Sequence, residues 1–202
     1  MKLYYSSASP FVRKVMVCAY ERGLDGRITQ VPTKVLPTEP NREYGKANPL
    51  MKVPALERDD GTTLFDSMVI CEYLDSLPGG PKLFPAEGER RWSALRVQAM
   101  ANGILDAAVL TRYETAVRPA QLRWDAWTQG QLLKVDQALD VLEREAAKFD
   151  GLDIGTIAVG CALGYLDFRY ADRNWRATRP QLARLYESIA RRPSFEKTVP
   201  KA

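Results

Sequence analysis

The spacing of apolar residues changes several times along the first half of the chain. Lys2–Ser6 is a short apolar run and predicts a strand. Val12, Val15, Met16, Ala19 and Tyr20 then recur three and four apart, the stripe of a helix that Gly23 stops. Ile28–Pro32 reads as a second strand. Thr33–Asn48 is rich in proline, asparagine and charge and has no period, so it predicts loop with at most one short helix around Arg42–Ala47. Pro54–Glu57 reads as a strand, Asp59-Asp60-Gly61 as a tight turn, and Thr62–Phe65 as the antiparallel return. Asp66-Ser67 opens a further helix that turns Val69, Ile70, Tyr73, Leu74 and Leu77 inward. The order β-α-β then β-β-α describes one small mixed sheet with helices.

A different regime begins after Leu77. Leu77–Pro85 carries three prolines and two glycines, which cannot continue a helix and mark a domain boundary near residue 80. We take residues 1–77 as one domain, 78–88 as a linker and 89–202 as a second domain. In the second, Glu89–Arg118 predicts one long helix or two in line. Trp124–Phe149 predicts another, with Leu132, Val135, Leu139 and Leu142 on one stripe, and Pro180–Ala190 a shorter one. From Ile154 to Leu166 there are thirteen residues without a charge, apolar or small on every side, as expected of the central helix of an all-helical domain.

Composition narrows the chemistry. The chain has 202 residues, 46% of them hydrophobic, enough for a sizeable core. It contains no histidine, which removes a Ser-His-Asp hydrolase and a His-ligated zinc enzyme. Cys18, Cys71 and Cys161 are an odd number without Cys-x-x-Cys spacing and lie in apolar helical patterns, which fits reduced core thiols. The net charge of +4 comes from residues 81–202, where nineteen basic side chains face fifteen acidic ones, against ten and ten in residues 1–80. The arginines are interspersed with acids, so we read a solvated surface and expect no nucleic-acid partner. With no signal-peptide pattern and no membrane-length apolar run, the expected location is the cytoplasm.

The candidate chemistry begins at Ser9. A serine before a proline at a strand-to-helix junction is a good N-cap, and Pro10 suits the first turn because its missing N–H is not needed there. A hydroxyl in the positive end of a helix dipole would favour an anion beside it; the plainer alternative is that Ser9 only caps the helix. Ser6 and Ser7 are rivals just outside the cap. Arg13, one turn into the helix, either adds positive potential or is an ordinary surface arginine.

Four stretches together resemble one family. They are Ser-Pro-Phe-Val-Arg-Lys-Val at 9–15, Asn-Pro-Leu-Met-Lys-Val-Pro-Ala-Leu at 48–56, Phe-Asp-Ser-Met-Val-Ile-Cys-Glu-Tyr-Leu at 65–74, and the uncharged helix after Asp153. In this order and spacing they resemble a cytosolic glutathione S-transferase of the bacterial, serine-type kind, over essentially the whole chain. The resemblance implies an α+β protein: a thioredoxin-like N-terminal domain followed by an all-α C-terminal domain.

It also implies glutathione as co-substrate, no metal, a small electrophile held on the helical domain, a role in detoxification and a homodimer. Ser9 would be the catalytic residue, stabilising the glutathione thiolate. Lys52, Val53 and Pro54 would hold the cysteinyl portion through main-chain hydrogen bonds, with a cis bond before Pro54 turning the Val53 backbone outward. Asp66 and Ser67 would receive the γ-glutamyl group at a helix start.

This sequence departs from the family pattern in two places. Met51 stands where a glycine is usual. Asp153 and Thr156 occupy a capping box in exchanged roles, and both can still cap reciprocally. Lys34 and Arg42 are candidates for the glycine end of glutathione or simply solvated charges, and Tyr113 or Trp124 for the electrophile pocket or the core. The alternative is a non-catalytic member, a binding or scaffolding protein on the same fold. Glutathione-dependent disulfide exchange would want a cysteine at position 9.

Overall fold

A computed structural model describes residues 1–201 of the chain. Two compact units form: Met1–Pro85 together with the segment from Pro193 onward, and Ala86–Arg192.

In the first unit β1 (Lys2–Tyr5), α1 (Pro10–Glu21) and β2 (Thr29–Pro32) make a parallel β-α-β crossover; β3 (Ala55–Glu57) and β4 (Thr63–Leu64) form a hairpin, and α2 (Ser67–Ser76) follows. The sheet order is β2-β1-β3-β4, with β1 parallel to β2 and antiparallel to β3. This is a thioredoxin-like arrangement. α1 forms where expected: Ser9 Oγ accepts the Val12 N–H at 3.3 Å, Pro10 occupies the first turn, and Gly23, at φ +66°, ends it. Val12, Val15, Met16 and Ala19 are buried with Leu3 and Leu56 of the sheet and Ile70 and Leu74 of α2. One sequence expectation fails on α2. Val69 is 47% exposed, and the fully buried Cys71 takes an inward position instead, because the helix turns Ile70, Cys71 and Leu74 toward the core.

Leu77–Pro85, within which the sequence reading starts its 78–88 linker, is tied to the first unit by buried charge. The Arg22 guanidinium donates to the Leu77 carbonyl at 2.6 Å and to the Gly80 carbonyl, and its Nε lies 3.5 Å from Asp75 Oδ1. Asp75 in turn accepts the Leu83 N–H at 2.7 Å and the Phe84 N–H at 3.4 Å. Gly79 is required here, since a Cβ would overlap the Arg22 carbonyl.

The second unit consists of α3 (Gly88–Ala116), α4 (Asp125–Glu145), α5 (Ile154–Arg169) and α6 (Pro180–Ala190). α3 is one continuous helix. α5 is buried from Ile154 to Leu166, as its uncharged sequence requires. Its capping box closes in both directions: Asp153 Oδ1 accepts the Thr156 N–H at 2.9 Å, and Thr156 Oγ1 accepts the Asp153 N–H at 2.8 Å. Trp124 is not core; it is 66% exposed, and its N–H donates to Glu114 at 2.9 Å.

A short helix, α7 (Pro193–Glu196), packs against α1. The sequence reading placed residues 193–202 with the helical domain, but the segment from Pro193 belongs to the first unit. No helix among the described residues is long and apolar enough to cross a membrane.

α5 meets α3 at Gly155, where a Cβ would stand 2.8 Å from the Ala94 carbonyl oxygen and 3.0 Å from Val97 Cβ. Gly155→Ala is therefore expected to destabilise the protein by about 1–3 kcal/mol despite alanine's better helix propensity, as read by chemical denaturation.

Candidate functional site

The sheet register brings three chain segments to one end. β1 runs toward Tyr5, Ala55 at the start of β3 lies opposite Tyr4, and β4 runs back so that its last residue, Leu64, lies opposite Leu56. The residues after β1 (Ser6–Ser9), before β3 (Lys52–Pro54) and after β4 (Phe65–Ser67) thus leave the sheet at the same end. Each has polar groups that the fold leaves unused.

Ser9 is half-buried. As it accepts the Val12 N–H, its hydroxyl proton is left over, and it donates to no group among the described residues. The rival Ser7 is engaged elsewhere, donating to the Lys201 carbonyl at 3.2 Å. Ser6 contributes its carbonyl to the Ser9 N–H at 3.1 Å.

Val53 precedes a cis bond to Pro54, as expected. Neither its N–H nor its carbonyl is hydrogen-bonded among the described residues. The residue before it is held firmly. The Lys52 carbonyl accepts from the Tyr44 hydroxyl at 2.6 Å and from Asn48 Nδ2 at 2.7 Å. Asn48 also accepts the Leu50 N–H at 3.0 Å through its side chain and the Met51 N–H at 2.8 Å through its carbonyl. Tyr44 leans on Tyr4 of β1 with ring centroids 5.0 Å apart, and burial pushes its phenol up to about 12, so it remains a donor throughout the physiological range. The Lys52 side chain points to solvent.

Asp66 caps α2 by accepting the Met68 N–H at 2.9 Å. Ser67, the first helical residue, is 2% exposed, and neither its hydroxyl nor its N–H has a partner among the described residues. A donor pair at a helix start suits a carboxylate.

Other sequence candidates lie apart from these roles. Lys34 is an exposed ion pair with Glu39 at 2.7 Å. Arg42 is exposed and, with Pro40, Gly45, Lys46, Pro49 and Met51, lines an open hollow of about 590 Å³. Arg13 is not a surface residue, being 5% exposed. Tyr113 is half-buried, which raises its phenol pKa. Tyr44 and Asn48 were missed as supports: Tyr44 lies in a stretch without period, and Asn48-Pro49 signals a turn without revealing what the asparagine side chain grips.

Comparison with known proteins gives this site its context. The family model described as glutathione S-transferase, N-terminal domain, matches residues 8–77, and that described as glutathione S-transferase, C-terminal domain, matches residues 125–188. An uncharacterized GST-like protein of Escherichia coli (strain K12), YibF, is 36% identical, the match covering 99% of this chain and 98% of YibF. The chain belongs to the glutathione S-transferase family. A glutathione transferase family member from Pseudomonas fluorescens Pf-5, solved with bound glutathione, is 44% identical with a TM-score of 0.95, covering 100% of this chain and 99% of the other. A second structure of a Pf-5 family member, 44% identical over 100% of both chains with a TM-score of 0.92, carries S-(propanoic acid)-glutathione.

Met51, in place of the glycine usual in the transferase pattern, has φ +50°, the left-handed conformation a glycine adopts without penalty. With the side chain truncated in both cases, Met51→Gly is expected to be more stable than Met51→Ala by about 1 kcal/mol in thermal or denaturant melts.

Proposed function

We propose that the protein is a glutathione transferase that conjugates the thiolate of glutathione to small electrophilic carbons, with Ser9 as its catalytic residue. The extended tripeptide pairs with the free N–H and carbonyl of Val53, whose approach is set by the anchored Lys52 carbonyl and by Pro54. Its γ-glutamyl carboxylate takes the Ser67 hydroxyl and N–H, and Asp66 faces the ammonium. The cysteinyl sulfur then accepts the spare hydroxyl proton of Ser9 as a hydrogen bond. Donation to the sulfur favours the charged form, and the α1 terminus adds its positive potential. The thiol proton leaves to solvent. The sulfur lone pair forms the new C–S bond as the leaving group departs with its electron pair, so no general base in the protein is needed.

The observation that carries this reading is the shared position of the three sets of unused polar groups at one end of the sheet. A scaffold has no physical need for a free Ser9 donor, an open Val53 backbone and an unpartnered Ser67 together. The relatives support it as well: one was solved with glutathione and another with an S-substituted glutathione, the product type of such a reaction. Detoxification in the cytoplasm by a homodimer completes the reading. Buried, unbridged Cys18, Cys71 and Cys161 suit a reducing compartment, and the exposed Met68 and Val69 of α2 offer apolar area to a second subunit.

The test pairs calorimetry with a conjugation assay on an aryl halide. The wild type is expected to bind glutathione and turn over, while Ser9→Ala binds within a few-fold but loses about a hundredfold in kcat, the usual effect of deleting one donor to a reacting anion. Absence of glutathione binding by the wild type at millimolar ligand would overturn the proposal in favour of a scaffold.

A further inference from the structure

Three bonds bring the C-terminal segment back to α1. Ser194 Oγ donates to Glu21 at 2.5 Å, while Arg13 Nη2 donates to the Phe195 carbonyl at 3.3 Å and its Nε to Thr198 Oγ1 at 3.5 Å. The Arg13 guanidinium also sits 5.2 Å from the centre of the Phe195 ring. Beyond these, the Lys201 N–H donates to the Ser7 carbonyl at 3.3 Å, two residues before Ser9.

Arg13 is held as a cation without an anion. It is 95% buried, forms no ion pair among the described residues, and its Nη1 has no hydrogen-bond partner. The acids nearby are otherwise placed: Glu21 accepts from Ser194, Asp66 caps α2, Asp75 lies against Arg22, and Glu72 and Glu196 are exposed. Among the described residues the other charged side chains on α1 and the C-terminal segment are basic: Lys14 near the Phe11 ring, Lys197 over Tyr20, and Lys201. Tyr5 of β1, Tyr20 of α1 and Tyr73 of α2 are the phenols there. An unpaired buried charge is expensive, and neutral acceptors recover only part of its lost hydration. A purely structural clamp on the Phe195 carbonyl would need only a neutral donor.

The geometry points to a function for that charge: Arg13, gripped by Phe195 and Thr198, is a fixed positive potential one helical turn behind Ser9 that holds a bound thiol in its thiolate form. The inference rests on the glutathione reading above. The Arg13 N–H donates to the Ser9 carbonyl at 3.0 Å, so the cation and the hydroxyl share one rigid turn. A buried charge is screened far less than an exposed one, and its field reaches a thiolate at the cap without touching it. The C-terminal segment is then part of the site, since it keeps the guanidinium from reaching solvent.

Titrating the thiolate absorbance of bound glutathione, with kcat/KM against pH in parallel, tests this. Removing the charge in Arg13→Gln is expected to raise the apparent pKa of the bound thiol by about one unit, so that activity falls several-fold to tenfold below neutral pH and recovers at alkaline pH. Arg13→Lys, which keeps a charge, is expected to stay near the wild-type profile. Thr198→Asp leaves Arg13 in place and supplies the missing anion; it is expected to shift the profile the same way as Arg13→Gln, and it decides the matter if Arg13→Gln does not fold. An unmoved profile in a folded Arg13→Gln or in Thr198→Asp overturns the inference and leaves Arg13 a clamp. A wild type that binds no glutathione by calorimetry is a different result, which removes the transferase reading itself.

Discussion

The position of β1 between two partners is the constraint on which the first unit depends. Four residues, Lys2–Tyr5, pair in parallel with β2 and antiparallel with β3. Leu3 faces the core, and its neighbour across the antiparallel pair, Leu56, does the same. A slip of one residue would turn both outward, so the apolar alternation of two short strands fixes the register. Once fixed, it leaves the exits of β1 and β4 and the entry to β3 at one end. The candidate site is a consequence of pairing geometry before it is a matter of side-chain chemistry.

Strand pairing does not hold the irregular segments of the first unit, and buried polar anchors take over. The Lys52 carbonyl is gripped twice, by Tyr44 and Asn48; the segment after α2 is gripped by Arg22 and Asp75; the C-terminal segment is gripped by Arg13. Each anchor joins a side chain from a regular element or an ordered turn to the backbone of an irregular one. Such a bond contributes about 1 kcal/mol net when formed, yet leaving its buried partner unsatisfied costs more, so these contacts specify position more than they add stability.

This division also explains what could be read in the sequence. Regular elements declare themselves by period and cap: the uncharged run from Ile154 becomes the buried α5, Pro180–Ala190 is helical at those bounds, and Asp153 with Thr156 closes the capping box in exchanged roles. The error at Val69 arose because three consecutive positions on α2 compete for one buried stripe, and apolar character alone does not rank them. Anchors have no period. Nothing in the spacing of Tyr44, Arg22 or Arg13 says which distant carbonyl each will meet, and the return of residues 193–198 to α1 rests on contacts between residues 173 to 185 positions apart. The family motifs nominated the candidate site residues; nothing in the sequence nominated their supports.

The absence of histidine gives the proposed chemistry a simple form. Apart from the α-amino group, no protein side chain here has an ordinary pKa between 5 and 8, and the cysteines are buried. Tyr44, beside the site, is held protonated by burial. With no imidazole in the chain, the thiol of the proposed co-substrate is the group whose protonation the reaction turns on. Catalysis of this kind needs no proton shuttle within the protein. In the proposed reaction it needs a fixed field and a spare donor; the cap that satisfies Val12 is also what leaves the Ser9 proton free, and the field is the part proposed for Arg13.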